Sequence, residues 1–513
     1  MKHQGGIYAS THGGSFDRVA EHVSWRGSVA DHLTIGEWTL TATGGASIAS
    51  SGGVTVMLHG TPEIDDDEIS VVDLAQRWNT HGREFVSGLH GSYAFVALDI
   101  EAGRVFAVRD FMGTKPLFWG EHGRHTSVAS EAVAIPLLFG LAAQVDEREV
   151  DRYLQMYGSD LRKTMVMGAS AFPPNTISTV FDAHVVSEPL PVPVQRLELS
   201  EADALSTTRE VLDRAVQASL RSSQRVTAAV SAGVDSSVVG VSGLEQGLVT
   251  DILTSRTVGD SEWDEVPRAS LIAKRFDVLH HVVDVEAPET HTGLSEQIYK
   301  YGPGGPTAWL SVVTVERAAA VGSDGFLVGH LGDEWLSLAG GPVAQTMFDG
   351  GLKHLPAYLR DEVRAQELDR RRIPTYLAWL KGSAIKRGVS YADRVLDQFQ
   401  GSGSLQQSLL TLERAASDFD IGLGIPFADR RYVAHVLGLP AWQRNRPGQS
   451  KWLLRQAYAD LLPEPYVTEP IKANFFDVSS QALGGNRTGF GAIWYQRAMW
   501  IDVWRQALAD RAA

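Results

Sequence analysis

Two patterns of apolar residues divide the chain. Ahead of residue 188 the apolar positions fall in short alternating runs, such as Tyr93 to Leu98 (YAFVAL) and Arg104 to Val108 (RVFAV), with glycine-containing turns between them. A side-chain period of two broken by turns predicts a β-rich domain. The segment Glu188 to Pro193, EPLPVP, then sets three prolines in alternation. Their fixed φ and missing N–H exclude helix and predict an interdomain connector. Beyond it the period lengthens. Ser200 and Asp203 form a capping pair, and Leu205, Thr208, Leu212, Ala215, Val216 and Ser219 recur at helical spacing, which predicts a helix to about Leu220. Val226 to Val230 (VTAAV) runs into a glycine loop and another helical stretch, the order that begins a parallel α/β sheet. Asp251 to Ser255, His281 to Val285 and Phe326 to Val328 read as further buried strands, and the chain is mostly helical from about Tyr358. The acidic run Glu63 to Glu68 reads as a solvated surface loop.

A chain of 513 residues exceeds one ordinary core of roughly 100–200 residues and must hold several. The expected organisation is an N-terminal domain over 1–187, a linker over 188–199 and a second domain over 200–513. Forty-six Lys and Arg against 61 Asp and Glu leave a net charge of −15, which argues against broad nucleic-acid binding. No apolar run reaches the roughly 18 residues of a membrane span, and the first residues lack a signal-peptide core, so a cytoplasmic protein is expected. There is no cysteine, which removes disulfides, thiolate metal sites and cysteine nucleophiles from consideration.

The first chemical motif is Ser231-Ala232-Gly233-Val234-Asp235-Ser236-Ser237, placed between a strand and a helix. Small hydroxyl residues and a glycine at a helix N-terminus let N–H and hydroxyl groups converge on an anion. The carboxylate of Asp235 would repel a bare phosphate, so its presence fits a magnesium ion shared with pyrophosphate. The string is not the Walker pattern G-x-x-x-x-G-K-[ST], so γ-phosphate transfer is not expected. The second motif is Gly329-His330-Leu331-Gly332-Asp333-Glu334, after a strand-like FLV. Asp333 at the end of a neighbouring strand would complete a two-aspartate magnesium site.

The two motifs, about a hundred residues apart, resemble the S-G-G-x-D-S and G-x-G-[SGA]-D strings of the asparagine synthetase family, with Ala232 and Leu331 each standing where that family has glycine. Further matches cover nearly the whole chain: Trp263-Asp264-Glu265, Leu279 to Val283 (LHHVV), Ile425 to Asp429 (IPFAD), Lys451 to Arg455 (KWLLR), Leu89 to Phe95 (LHGSYAF) and Val108 to Leu117 (VRDFMGTKPL). The histidine pair within LHHVV reads as structural. The resemblance implies an N-terminal glutaminase-like β-sandwich of the Ntn-hydrolase type and a C-terminal ATP-pyrophosphatase α/β domain with helical additions. It also implies ATP and Mg2+ as cofactors, with Ser231, Gly233, Asp235, Ser236, Ser237, Gly329 and Lys451 binding nucleotide and Asp235 and Asp333 binding metal. Two lysines carry implied roles, Lys451 approaching pyrophosphate and Lys472 stabilising the adenylate and the transition state of attack. A glutaminase of this family uses an N-terminal cysteine, in M-C-G-I, as nucleophile. Here Gly5-Gly6-Ile7-Tyr8 occupies that place, so no glutamine hydrolysis is expected.

The family's shared chemistry is adenylation of a carboxylate, loss of pyrophosphate and attack by an amine. Lacking a glutaminase, the chain resembles most the lasso peptide cyclases, which carry G-H-G-G-D at the second motif. There His330, whose imidazole ordinarily titrates near neutrality, is expected to act as base or donor. An insert from Phe348 to about Gly403 and an aromatic C-terminal helix, Trp494 to Trp504, extend that likeness. The resemblance then implies a leaderless core peptide as substrate and the leader peptidase of the same pathway as partner. A β-lactam-type synthetase, an ammonia-dependent amidating enzyme and an inactive scaffold are the alternatives. Retention of Ser231, Asp235, Asp333 and Lys472 argues against the last.

Overall fold

The computed structural model describes residues 3–12, 16–154, 160, 162–181, 184–221, 223–257, 264–285, 293–303, 308–338, 391–446, 449–468 and 490–512. Among these, the N-terminal half forms two antiparallel sheets. In the six-stranded one Gly5–Ser10 lies between Trp38–Gly44 and His125–Ala129. In the seven-stranded one His90–Asp99 lies between Val54–Ile64 and Arg104–Arg109. Alternate residues of both, including Ile7, Leu40, Met57, Val96 and Val105, meet in one buried layer, which makes the pair a sandwich. The other face of the seven-stranded sheet is covered by the helix Val71–His81, started by a reciprocal cap between Ser70 and Asp73.

The VRDFMGTKPL stretch forms a buried knot of hydrogen bonds. Asp110 accepts from the N–H groups of Met112, Thr114 and Lys115 at 3.0–3.1 Å. Arg109 donates to the carbonyls of Lys115 and Phe172 at 3.0 and 2.7 Å. The acidic run is a surface hairpin turn, with Asp65, Asp67 and Glu68 exposed, and departs from its expectation only at Glu63. Glu63 is buried within the strand Val54–Ile64, and the half-exposed Asp66 pairs with Arg431. Arg221 and Arg431 from the second half lie 3.9 Å from the Glu63 carboxylate, which charge content alone could not reveal. The last N-terminal strand, His184–Pro189, enters the proline segment, and the extended stretch after it is stitched down by Leu197 N–H to the Gly438 carbonyl (2.9 Å) and Gln443 to the Leu199 carbonyl (2.7 Å).

After the helix Glu201–Leu220 comes an all-parallel sheet. Its spatial order is Leu279–Val285, Val249–Thr257, Val226–Ala229, Gly325–Leu327, Gly422–Gly424. The chain winds outward from Val226–Ala229, then returns to lay Gly325–Leu327 on its other side. Loops at the carboxyl ends of these two strands therefore face one crevice, where open parallel sheets bind ligands. The strand Gly422–Gly424, GLG, carries no apolar alternation and was not foreseen; pairing with Gly325–Leu327 defines it. Of the expected insert, Tyr391–Gln400 is helical and residues 348–390 lie outside the described ones. The C-terminal helix runs Phe490–Ala512 with Ile501 and Trp504 buried, while the Trp494 side chain is not among those described.

The halves meet around a buried ion cluster. Arg26 donates to Glu131 at 2.6 and 2.9 Å and to both oxygens of Glu413 at 2.8 Å. Lys115 reaches Glu413 at 3.2 Å, and Arg414 pairs with Glu131. Arg26 and Glu131 are fully buried, so each ion loses several kcal/mol of hydration, offset here because both carboxylates have two cationic partners. Burial pushes the Glu413 carboxyl up, but Arg26 and Lys115 outweigh it and hold the group well below the usual carboxylate range.

Replacing Glu413 by Gln should leave Arg26 underpaired and cost about 3–5 kcal/mol in denaturant unfolding, with less lost when Arg26→Met accompanies Glu413→Leu. A depressed folded pKa means the unfolded chain binds more protons as pH falls below the unfolded carboxyl value of about 4.3, so this stabilisation is whole at neutral pH and erodes in acid. Thermal melts should therefore show the gap between wild type and Glu413→Gln shrinking as the pH is lowered, and a constant gap would contradict the assignment.

Candidate functional site

The loop after Val226–Ala229 is held by its own serines. Ser231 Oγ lies 2.8 Å from Ser236 Oγ and accepts the Gly233 N–H at 3.0 Å. Ser237 Oγ donates to the carbonyls of Ser231 (3.1 Å) and Gly233 (2.7 Å). Gly233 is the N-cap of the helix Val234–Glu245 and offers no side-chain cap, so the first helical N–H groups stay open to an anion. Ala232 is not among the positive-φ residues, so its methyl group carries no backbone strain.

The second motif fits against this loop through its glycines. A Cβ on Gly329 would stand 2.4 Å from the Ser236 nitrogen, and one on Gly332 would stand 2.3 Å from the Asp235 carboxyl carbon. Both positions demand the absence of a side chain. Leu331 takes a left-handed backbone, φ +76°, of the kind glycine adopts most readily, and is buried. A non-glycine residue there stores roughly 1–3 kcal/mol of strain, which its side-chain burial must offset. A π-helical turn, Glu334–Leu338, follows Asp333. It is anchored where Trp335 Nε1 donates to the Phe427 carbonyl at 2.8 Å, which gives IPFAD its place, and where Asn445 donates to the Leu336 carbonyl at 2.7 Å.

Asn445 also accepts the Lys451 N–H at 2.9 Å. Lys451 itself has φ +57° and begins the helix Trp452–Ala457. Its ammonium contacts Asp235 Oδ2 and lies 2.9 Å from Asp333 Oδ1. Burial alone would lower the lysine pKa, but the two aspartates reverse the sign and raise it. Burial, reinforced by Asp333 and Asp235, lifts Glu334 to about 7. Burial lowers His330 to about 4, so the imidazole is neutral throughout the physiological range and does not titrate near neutrality as expected from its type.

The residues present fit a magnesium ion. Two carboxylates already share one cation, and Asp235 rests in a cradle that a Cβ on Gly332 would fill. A magnesium ion takes one or two carboxylates and completes its shell with water and phosphate oxygens, which the Asp235 and Asp333 pair would allow.

Ser231, Gly233, Asp235, Ser236, Ser237, Gly329, His330, Asp333 and Lys451 thus belong to two adjoining loops and the helix that faces them. Lys472 lies outside the described residues. Two neighbours carried no assigned role in the sequence. Glu265 is buried and, although it accepts the Ala232 N–H, burial raises it to about 7. Tyr466 donates to the Ser231 carbonyl at 3.0 Å beneath Arg268. Glu265 was visible only within WDE, and nothing near Tyr466 marks it.

The N-terminal domain has no counterpart of a thiol nucleophile. Gly5 is buried, and a Cβ there would meet the His59 ring at 3.1 Å. His59 is itself buried 3.8 Å from Glu413 and is kept neutral by that burial and by Lys115.

The family model described as asparagine synthase matches residues 207–488, more than half of the chain. The chain belongs to the asparagine synthase family. A glutamine amidotransferase domain model matches residues 66–189, within the sandwich. Glutamine-hydrolysing asparagine synthetases of Cricetulus griseus and Mus musculus are each 24% identical over 400 residues, covering 75% of this chain. That of Rattus norvegicus is 23% identical over the same length. The chain spans 63% of the length of these relatives. Among solved structures, the glutamine phosphoribosylpyrophosphate amidotransferase of B. subtilis shares 13% identity at a TM-score of 0.25, covering 56% of this chain and 82% of its own. The asparagine synthase match encloses both motifs, Lys451 and Lys472.

If the two loops must touch through bare glycine, Gly332→Ala should displace Asp235. A shift of about 1 Å should cost roughly 10²-fold in any nucleotide-dependent turnover. Gly88→Ala, where a Cβ meets nothing within 4 Å, should be silent in the same assay.

Proposed function

We propose that the chain is an ATP-dependent amide-forming ligase that activates a carboxylate as its adenylate and releases AMP and diphosphate. The observation that carries this reading is the meeting of Asp235, Asp333 and Lys451 beside the open N-terminus of Val234–Glu245. A carboxylate of the substrate attacks the α-phosphorus of ATP. Negative charge grows on the departing pyrophosphate, which the helix N-terminus, the loop hydroxyls and the Lys451 ammonium are placed to receive. Magnesium, when bound by Asp235 and Asp333, supplies neutralisation of the phosphate oxygens. The amine then attacks the acyl-adenylate and AMP leaves.

Within this chemistry we read the amine as the N-terminus of a leaderless core peptide and the carboxylate as an Asp or Glu side chain of the same peptide, closed as in lasso peptides. The absence of a nucleophile at Gly5, filled in space by His59, supports an amine that does not come from glutamine. His330 supports the peptide reading over a small-molecule ring closure through the G-H-x-G-D pattern. As a neutral imidazole it orients the acyl group or accepts a hydrogen bond rather than carrying charge. Lys472 stabilises the anionic carbonyl oxygen during attack. A leader peptidase of the same pathway supplies the substrate.

ATP–pyrophosphate exchange should require a carboxylate substrate and vanish in Asp235→Asn and Asp333→Asn with folding retained; near-normal exchange in either removes the metal assignment. Lys472→Ala should still bind nucleotide but lose roughly 10²–10³-fold in cyclisation, scored by mass spectrometry as loss of one water from the peptide. Failure of the wild type on every peptide, with exchange intact on a small amino acid derivative, would shift the reading to a β-lactam-type synthetase.

A further inference from the structure

The Lys451 ammonium bridges the two carboxylates that would hold a divalent cation. It contacts Asp235 and is 2.9 Å from Asp333, so one monovalent charge already answers both carboxylates. Its position is imposed from the backbone: φ +57° and the Asn445 hydrogen bond fix where the side chain begins. The Asp235 carboxylate packs directly against Gly332, where an added Cβ would stand 2.3 Å from its carboxyl carbon. Lys451 and Asp235 are nearly buried, with side chains 11% and 12% exposed, whereas Asp333 is 38% exposed and open to what arrives.

We propose that Lys451 is a built-in stand-in for the metal, holding the aspartate pair together in the nucleotide-free enzyme and excluding divalent cations until nucleotide arrives. This rests on the reading of the site as ATP-dependent. A dication placed between the same carboxylates would lie within a few ångströms of the ammonium, and at that distance like charges repel strongly in a site shielded from water. The ammonium must leave first. It leaves only when a polyphosphate offers it an equally negative partner, and its flexible four-carbon stem makes that move possible without moving the backbone. Metal therefore enters together with nucleotide, and Lys451 passes from carboxylate to phosphate in the same event. The site is never left with two unneutralised aspartates. Lys451 is on this account a positioning residue whose empty-state partner is as important as its phosphate.

Mn2+ binding to the nucleotide-free full chain, followed by the electron paramagnetic resonance of free Mn2+, tests this. Wild type should show no saturable site at millimolar Mn2+. Lys451→Met and Lys451→Gln, each checked by circular dichroism, should gain one, with affinity raised at least ~10-fold, equivalent to about 1.4 kcal/mol. Adding Asp235→Asn to Lys451→Met should abolish the gain. A purely structural lysine would move none of these readings toward tighter metal. Saturable Mn2+ binding by wild type, comparable to that of the variants, overturns the proposal, and that arm needs no variant to fold. So does the absence of any gain in a folded Lys451 variant. ATP–pyrophosphate exchange on the same wild-type preparation separates the two readings: its absence removes adenylation, while the Mn2+ comparison alone decides the stand-in role.

Discussion

Two carboxylates brought to one crevice need positive charge between them, and the synthetase half is arranged around that need. Asp235 and Asp333 converge because the strands that deliver them are neighbours at the point where the sheet reverses its winding. Close approach of the loops then forbids side chains at Gly329 and Gly332 and bends Leu331 into a glycine-like conformation. The third loop answers with Lys451, itself in a left-handed conformation and tied through Asn445 to the turn that carries Asp333. Four strained or restricted backbone positions serve one electrostatic requirement, in keeping with the clustering of such positions at functional sites.

Much of this site was legible because phosphate chemistry writes itself into short strings. A glycine-serine loop between an apolar strand and a helix has few other uses, and a second aspartate after a later strand completes it. The change of apolar period at the proline segment marked a β-rich part followed by a parallel α/β part, and the family resemblance implied the sandwich and the ATP-pyrophosphatase fold. What stayed hidden depends on contacts between distant parts of the chain. The strand Gly422–Gly424 exists through pairing, with no pattern of its own. Glu63 looks solvated until Arg221 and Arg431 arrive beside it. His330 looks titratable until its burial is known, and Tyr466 lies in a stretch whose sequence says nothing of the Ser231 carbonyl.

The N-terminal sandwich holds the match to the amidotransferase domain model, and the chain has no cysteine to serve it as a nucleophile. Its retention has a mechanical ground. The helix Gly403–Asp418 presents Glu413 and Arg414 to Arg26, Glu131 and Lys115, and apolar residues from both halves, such as Tyr8, Phe118, Val238 and Leu409, belong to one continuous core. The synthetase half is thus walled by the sandwich.

That cluster also has a consequence for how the chain is made. Arg26 and its partner Glu413 are 387 residues apart, so a ribosome adding about 5–20 residues per second releases the second one about 20–80 s after the first. During that interval Arg26 and Glu131 have each other but lack Glu413 and Arg414, and an apolar flank lacks its cover. The buried cluster is therefore complete only once the helix Gly403–Asp418 has been made and packed against the sandwich.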